Sequence, residues 1–192
     1  MNAADSPSVP RLSLAPILAG WFALGLALAL AKVIGGRPPL AAIALTVQVG
    51  GGVAAYRLVP SLRAAVDALD LRVLILFHTV RAPIGAAFLV LMTRGMLAPT
   101  FAMRGGIGDL VAGLLALVAA GFVARRRLVL AWNAYGLLDI AVTVATAQKL
   151  ALIDHDPLML GAFEIWPFGL LPFFVVPLVV LTHLAIFVRL RR

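Results

Sequence analysis

The chain carries six apolar stretches, each close to the length that crosses a lipid bilayer as a helix. A hydrocarbon core of about 30 Å requires roughly 20 apolar residues in helical form. The stretches predict transmembrane helices at residues 12–34, 40–58, 73–92, 107–123, 128–147 and 167–188, of which the fourth is the shortest. We therefore predict an all-α fold, a polytopic integral membrane helix bundle that forms one transmembrane domain over residues 1–192.

The composition excludes a soluble globular domain. Hydrophobic residues make up 63% of the chain and charged residues only 12%, whereas soluble domains average about half apolar and about a quarter charged. A disordered chain is excluded for the same reason. The lack of cysteine excludes disulfides and thiolate metal sites. The formal net charge of +8 does not indicate a nucleic-acid partner, because no basic run exceeds three residues and each flanks an apolar stretch. The expected partner is the lipid bilayer.

The basic residues predict an orientation in the membrane. Ten of the 16 Lys and Arg residues lie on one side of the predicted spans: Arg11, Arg57, Arg63, Arg72, Arg125, Arg126, Arg127, Arg189, Arg191 and Arg192. Five lie on the other side: Lys32, Arg37, Arg94, Arg104 and Lys149. Because cytoplasmic loops collect Lys and Arg, this difference predicts an inner-membrane protein with both termini in the cytoplasm.

The first span has an alternative interpretation as a cleaved signal peptide. Ala29-Leu30-Ala31 resembles a signal-peptidase site after an apolar run, which would leave five spans. The run is longer than a typical signal-peptide core, and Arg11 is the only basic residue before it. These two features favour a retained helix.

Two connecting segments are predicted to form short helices at the membrane surface. Residues 61–70 have an amphipathic pattern on the predicted cytoplasmic side. On the other side, residues 158–166 are apolar but too short to span, and Trp166 is a typical interfacial anchor. Asp156 and Pro157 are suited to the cap and first position of that helix.

Polar side chains inside the predicted spans form the candidate functional site. Ionisable groups there cost about 2.5–3.5 kcal/mol each on insertion scales, so they tend to face the bundle interior and to have partners. Counted at about 1.5 Å per residue from the nearest flanking arginine, they lie roughly 9 to 18 Å deep. We predict a polar pocket or pathway formed by His78, Arg81, Asp139, Asn133, His183, Gln48 and Asp109.

Helical spacing places some of these residues on shared faces. His78, Arg81 and Gly85 lie on one side of the third span. Another stripe runs along the fifth span and contains Trp132, Gly136, Asp139, Thr143 and Thr146. Asn133 lies about 120° from Asp139 around that helix. Pro83 removes the hydrogen bond to the Thr79 carbonyl and is expected to kink the third span near His78 and Arg81.

The expected function of this layer is transport. Arg81 and Asp139 form a predicted buried ion pair that lines a path for a proton, an ion or a small solute, in a small transporter or channel-like protein. The alternative is a structural or assembly protein in which the same pair only fixes helix packing. Sequence patterns typical of hydrolases, metalloproteases and paired-carboxylate enzymes are missing from the chain, which argues against an enzyme.

Three further interpretations concern a cofactor, a metal ion and an acid. His78 and His183 lie at equal predicted depth and could be the axial ligands of a b-type haem in a redox subunit. Asp154-His155-Asp156 could bind a divalent metal, although adjacent ligands rarely converge on one ion and the segment serves a turn equally well. Asp109 follows a glycine-rich segment and could act in an outer mouth, or be only a first-turn acid favoured by the helix dipole.

Several motifs resemble a family of small uncharacterised bacterial polytopic membrane proteins. They follow in order between Leu71 and Val188: Arg81-Ala82-Pro83-Ile84, a Gly-Asp-Leu-Val-Ala-Gly segment ending at Gly113, Leu130-Ala131-Trp132-Asn133, and a proline-rich last helix ending in His183-Leu184. The resemblance implies that Arg81, Asp109, Asn133 and His183 are motif positions. Gly85 stands where the resemblance implies a glutamate, so an activity of the family that depended on that carboxylate is not expected here. The resemblance implies no particular activity.

Overall fold

The computed structural model describes residues 12–35 and 37–191, and within these ranges it contains helices and no strand. Arg11 and Arg192, which contribute to the predicted orientation, lie outside them. We number the helices α1 to α8, and their bounds are α1 Leu14–Leu30, α2 Pro39–Leu58, α3 Pro60–Asp67, α4 Leu71–Thr93, α5 Pro99–Gly121, α6 Arg126–Leu152, α7 Pro157–Ala162 and α8 Phe168–Arg191. The predicted all-α fold is confirmed.

Five helices are long and apolar enough to cross a membrane: α2, α4, α5, α6 and α8. They correspond to the second to sixth predicted spans. The first predicted span, residues 12–34, is the helix α1 of 17 residues, which at about 1.5 Å per residue extends roughly 26 Å and is shorter than the hydrocarbon core. The structure therefore supports a helical membrane protein with five helices of spanning length in its described part.

The fourth span begins earlier than predicted. Its predicted range was 107–123, whereas α5 starts at Pro99 and passes through a π-helical segment at Ala102–Gly106. Gly105 and Gly106 are buried inside the helix. A side chain at either glycine would contact a neighbouring helix at 2.8–3.0 Å, so these glycines serve close packing and not chain reversal.

The remaining boundaries differ by a few residues. The predicted span 128–147 is extended at both ends, to the 27 residues of α6. The surface helices predicted at 61–70 and 158–166 are shorter, and correspond to α3 and α7. The predicted cap of α7 is confirmed, because the Asp156 carboxylate accepts a hydrogen bond from the Met159 amide at 2.9 Å.

The helix α4 loses regular α-helical geometry where Pro83 predicts a disturbance. Residues His78–Val80 form a 3₁₀ turn between α-helical segments at Leu71–Phe77 and Arg81–Thr93. The proline ring at position i conflicts with the carbonyl at i−4, which here belongs to Thr79. This change in helical pitch lies directly beside Arg81 and thus helps to set the direction in which its side chain leaves the helix.

Prolines also shape α8. The helix opens with a 3₁₀ turn at Phe168–Leu170, continues as a π segment at Leu171–Val175 and is regular from Val176 onward. Pro177 cannot donate to the carbonyl of Phe173 four residues earlier. The indole of Trp21 on α1 donates to that carbonyl instead, at 3.0 Å.

The described core contains two large apolar clusters at different depths, with polar residues between them, and a third small cluster of Ile34, Ala41 and Phe173. On α4, α5, α6 and α8 the order along each helix is one cluster, then the polar residues, then the other cluster. The first cluster includes Phe88, Leu91, Phe101, Leu150 and Met159. The second includes Leu74, Ala116, Val129, Trp132 and Ile186. The candidate site therefore lies in the middle of these helices, between the two large apolar clusters.

Candidate functional site

The guanidinium group of Arg81 is the centre of the site. The residue is 2% exposed. Its Nε donates to Asp109 Oδ1 at 2.6 Å, its Nη2 donates to Asp139 Oδ2, and its Nη1 donates to the Gly136 carbonyl at 3.0 Å. The same Nη1 lies 3.3 Å from Nε2 of His183. One side chain thus joins α4 to α5, α6 and α8.

The predicted Arg81–Asp139 pair is present, and Asp109, a predicted member of the pocket or pathway, is a second acidic partner of Arg81. Asp109 was expected in an outer mouth or in a first helical turn. Because α5 begins at Pro99, Asp109 is the eleventh residue of the helix, roughly 15 Å from its start. That depth brings its carboxylate level with Arg81. The sequence feature that could have indicated this depth is the apolar stretch before Gly105, which lets the span begin earlier in the chain.

His183 and Asn133 form a second part of the site, in which they bond to each other and His183 also contacts Arg81. Nδ2 of Asn133 donates to the His183 carbonyl at 3.1 Å, which leaves Oδ1 of Asn133 facing Nδ1 of His183 at 2.8 Å. An amide oxygen only accepts, so Nδ1 of His183 carries the hydrogen. Nε2 then has a free lone pair and accepts from Arg81. His183 is therefore neutral in this arrangement.

His78 packs against His183 and has the opposite tautomer. The Thr182 hydroxyl donates to a carbonyl of its own helix, at 2.8 Å from Leu178 O, and accepts from Nε2 of His78 at 3.2 Å. Nδ1 of His78 is left with a lone pair and has no hydrogen-bond partner in the described structure. Both buried histidines are thus neutral neighbours of the Arg81 guanidinium.

The two histidines do not fit the predicted haem. Axial ligation places one imidazole on each face of the porphyrin, with a nitrogen of each ring directed at the iron. Here the ring centroids of His78 and His183 are only 4.0 Å apart and the rings are tilted by 35° in direct contact. No porphyrin plane fits between them. Both nitrogens of His183 also have other partners, Asn133 and Arg81.

Two glycines allow the helices to approach closely enough for these contacts. A Cβ atom at Gly136 would lie 2.6 Å from Cε1 of His183 and 3.2 Å from Nη1 of Arg81. A Cβ atom at Gly108 would overlap the Asp139 carboxylate. Glycine at these two positions lets the backbones of α6 and α5 contact the polar side chains directly.

Gly85, at which the resemblance implied a glutamate, also lies in close packing. A Cβ atom at Gly85 would overlap the Gly106 carbonyl and lie 2.7 Å from the Leu110 amide nitrogen. Both atoms belong to the backbone of α5 and cannot move aside as a flexible side chain could. This contact between α4 and α5 leaves no room for a glutamate side chain at position 85. The glycine there is therefore explained by the close packing of the two helices.

The charges of the site do not balance. Two carboxylates, Asp109 and Asp139, share one guanidinium, and the two histidines are neutral. With both carboxylates ionised, one negative charge is left without compensation in a buried position, where isolated charge is costly. Such a group binds a proton or another cation readily.

A cavity of about 80 Å³ adjoins the charged residues. Arg81 and Asp109 lie in its wall together with Thr143, and most of the remaining lining is apolar. The cavity extends between α2, α4, α5, α6 and α8 towards Met159 of α7.

The side chain of Gln48 makes no hydrogen bond to Arg81. Its amide oxygen accepts from the Trp21 indole at 2.6 Å, and its amide nitrogen donates to the carbonyls of Ala44 and Pro172 at 2.9 and 3.0 Å. Gln48 thus joins α1 and α2 to the π segment of α8. The other six predicted site residues form one connected cluster on α4, α5, α6 and α8, which we call the Arg81 cluster.

The segment Asp154–Asp156, considered for a metal ion, has other contacts. Both carboxylate oxygens of Asp154 accept from Lys149 Nζ, at 2.8 and 2.5 Å, and the Asp156 carboxylate caps α7. Among residues 12–35 and 37–191, no three His, Asp or Glu side chains are grouped to hold a metal ion. The turn and cap explain these acids.

Comparison with known proteins supports the resemblance found in the sequence. No curated protein and no solved structure matches the chain. A family model does match, over residues 38–191, a range that contains every motif on which the resemblance depends. Its description is "Domain of unknown function (DUF8737)", which names no activity. The chain belongs to this family.

Proposed function

We propose that this chain is a small transporter or channel-like protein that carries a proton or a small cation past the Arg81 cluster. The observation that most supports this proposal is that two carboxylates, those of Asp109 and Asp139, accompany the single guanidinium of Arg81. This group is buried among four helices and lies beside a cavity. A purely structural ion pair needs one acid. The second acid gives the site a negative charge that a transported cation can neutralise.

Irregular helix geometry near the cluster supports this proposal. The 3₁₀ turn at His78–Val80 directly precedes Arg81, and the π segment at Ala102–Gly106 precedes Asp109 by one turn. The π segment at Leu171–Val175 supplies part of the cavity wall. Interruptions of this kind inside spans occur where a helix lines a cavity or a functional site.

The proposed location is the inner membrane, with the lipid bilayer as partner. If α1 is retained as a sixth span, with local thinning of the bilayer around this short helix, both termini lie in the cytoplasm. The ten basic residues on that side against five on the other support this orientation. Exposed apolar side chains on α2 and α5, such as Val47 at 65% and Leu117 at 55%, are suited to acyl chains.

Transport can be tested by recording charge movement across proteoliposomes on a solid support after concentration jumps of protons, sodium or ethylammonium. We expect a protein-dependent current with at least one of these probes. Asp139→Asn removes the excess charge and is expected to abolish the current at equal protein incorporation. Asp154→Asn, an acid paired with Lys149 outside the cluster, is the matched control and should leave it unchanged. Failure of all three probes, or full current in Asp139→Asn, contradicts the proposal.

A second candidate function is a structural or assembly role, favoured by the number of helices that Arg81 joins. Its bonds to Asp109, Asp139 and Gly136 would hold α4, α5 and α6 in register without any chemistry. Replacing the whole charged group with R81M/D109V/D139V distinguishes the two roles, because apolar residues can often replace a complete buried ionic group without loss of stability. If the cluster is only structural, a variant that folds keeps the current of the wild type, whereas a cation path loses it.

A further inference from the structure

The cavity beside the Arg81 cluster lies at the depth of the lipid chains. Its wall includes Leu45 of α2 and Ile140 of α6. From Pro39 at the start of α2 to Leu45, and from Ile140 to Leu152 at the end of α6, the helix rise gives roughly 9 and 18 Å. Helices of this length cross a hydrocarbon core of about 30 Å. The surroundings of the protein at the level of the cavity are therefore acyl chains.

The wall of the cavity is apolar. The atoms that face it are almost all carbon, and they include atoms of Phe88, Phe101 and Met159. Arg81 and Asp109 belong to the lining, but Nε of Arg81 donates to the Asp109 carboxylate at 2.6 Å. A buried water needs two to four polar partners, which such a wall does not provide. The cavity therefore suits an apolar occupant.

The shape of the cavity favours a chain over a ring. Its wall on α6 extends from Ile140 to Gln148, which is roughly 12 Å along the helix. Its volume of about 80 Å³ is distributed over that length, whereas a cavity that holds benzene has about 150 Å³. A narrow space of this kind fits a linear alkyl chain. If it stayed empty, the atoms of its wall would lose their dispersion contacts on that side.

The helix α2 closes the cavity only loosely. Ala41 and Leu45 form the wall on its side, and the cavity is partly open to the outside of the protein. The main neighbours of α2 are α3 and α8, and neither α4 nor α6, which supply much of the remaining wall, is among them. Ile43 and Val47 of the same helix are 56% and 65% exposed. The opening therefore lies beside a helix whose surface faces lipid.

We propose that one acyl chain of a membrane phospholipid enters the cavity beside α2 and ends against the Arg81 cluster. Such a chain is linear, is as apolar as the leucine-like wall, and is present at the depth of the opening. Its terminal part covers Arg81 and Asp109 from the cavity side and keeps water from them there. This inference goes beyond the proposed function and does not require transport.

The test is photolabelling in proteoliposomes, with a phosphatidylcholine that carries a diazirine halfway along one acyl chain. Peptide mass spectrometry then locates the adducts. We expect adducts on wall residues that are only 4–5% exposed and that a lipid reaches only by entering the cavity. These residues are Phe88, Phe101 and Ile140.

Two other sets of residues calibrate the labelling. The exposed residues Val47 and Leu117 should be labelled whether or not a chain enters. Three buried residues outside the cavity lining should stay unlabelled: Ile75, Val129 and Ile186. Adducts on the exposed residues alone overturn the proposal. Equal labelling of the two buried sets also overturns it, because the probe would then reach buried residues without using the cavity.

A second probe distinguishes a lipid chain from a small apolar solute. A phenyl diazirine without a headgroup is also apolar but is wider than an alkyl chain. We expect it to label the exposed residues and to label the cavity wall less than the phospholipid does. If it labels the wall and the phospholipid does not, the cavity takes small solutes and the proposal is wrong.

Two alanine variants form a matched pair for the phospholipid labelling. Ala147→Phe places a ring in the cavity from α6 and should abolish the adducts on Ile140 and Phe101. Ala145→Phe, on the same helix but exposed and outside the lining, should leave them unchanged. Val144→Phe fills the cavity from the same side if Ala147→Phe does not fold. Adducts at the wild-type level in a folded, filled variant would contradict the proposed position of the chain.

Discussion

The first two helices and the later spanning helices have similar apolar composition, but they pack very differently. In α2 only 6% of the most apolar window is buried within the protein, against 33–44% in α4, α5, α6 and α8. Gly25 is the sole buried residue of α1, and Ala41 that of α2. Apolar content alone therefore does not decide which helices pack together.

Small and polar residues account for the difference. Lipid chains are as apolar as leucine, so helices in a bilayer associate through close backbone approach and interhelical hydrogen bonds. The later helices have both, in Gly136 and Gly108 beside the Arg81 cluster. In α2, a Cβ atom added at Gly50 or Gly51 would meet open space, and only Gly52 is in close contact with another helix, through Leu181.

Removing Arg81 should produce the largest change in stability. Arg81→Met leaves the two carboxylates of Asp109 and Asp139 buried without their partner, which costs about 3–5 kcal/mol. Arg57→Met, at the exposed end of α2, is the control and should change stability little. The free energy of unfolding in detergent measures both. If the two variants were equally stable, the cluster would not hold the later helices together.

A pair of glycine variants tests the comparison at the level of packing. Gly136→Ala places a methyl group 2.6 Å from the His183 ring and should destabilise by about 1–3 kcal/mol, the usual cost of overpacking. Gly51→Ala on α2 has no such neighbour, so the better helix propensity of alanine should stabilise by up to about 1 kcal/mol. Thermal unfolding should shift in opposite directions. Shifts of the same sign would remove the distinction between the two regions.

The attachment of α1 and α2 to the rest of the protein should depend on one indole. Trp21→Phe removes the donor to Gln48 and to the Phe173 carbonyl, a loss of about 1 kcal/mol per hydrogen bond. Limited proteolysis between α1 and α2 should become faster in this variant. Trp166→Phe is the control and should have no effect on the rate, because Trp166 is 60% exposed. An unchanged rate in Trp21→Phe would show that other contacts hold α1.

The smallest expected effect is spectroscopic. Nitrogen-15 NMR of histidine-labelled protein should show His183 neutral with its hydrogen on Nδ1, and His78 neutral with its hydrogen on Nε2. Asn133→Leu should remove the preference at His183 and leave His78 unchanged. A doubly protonated ring at His183 would conflict with its acceptance of a hydrogen bond from Arg81.

Much of the fold could be predicted from the sequence because its signals are local. Spanning length and apolar runs give five of the helices, and Pro83 and Asp156 mark a helix irregularity and a cap that the structure contains. The limits of α5 could not be predicted in this way. Gly105 and Gly106 are compatible with a turn or with tight helix packing, and only the neighbouring helices decide between them.

The candidate site could be predicted in part. The free-energy cost of placing a charged side chain inside the bilayer indicated that Arg81 and Asp139 are partners. Their estimated depth in the membrane grouped them with the two histidines and Asn133. Asp109 was included in the predicted pocket or pathway, but its pairing with Arg81 was not predicted because its depth follows from the start of α5. Gln48 was included on depth alone, but the direction of its side chain depends on Trp21 and on carbonyls that the prolines of α8 leave free. Depth can be counted along a sequence, whereas direction requires the packed helices.

The most direct test of a chemical role for the Arg81 cluster is the current carried by a variant without its charges, R81M/D109V/D139V. Replacing a whole buried ionic group by apolar residues is often neutral or stabilising. The account predicts a protein that unfolds at a temperature near that of the wild type but carries no current above empty liposomes. A folded triple variant with the full wild-type current would contradict it, and would leave the cluster a structural role only.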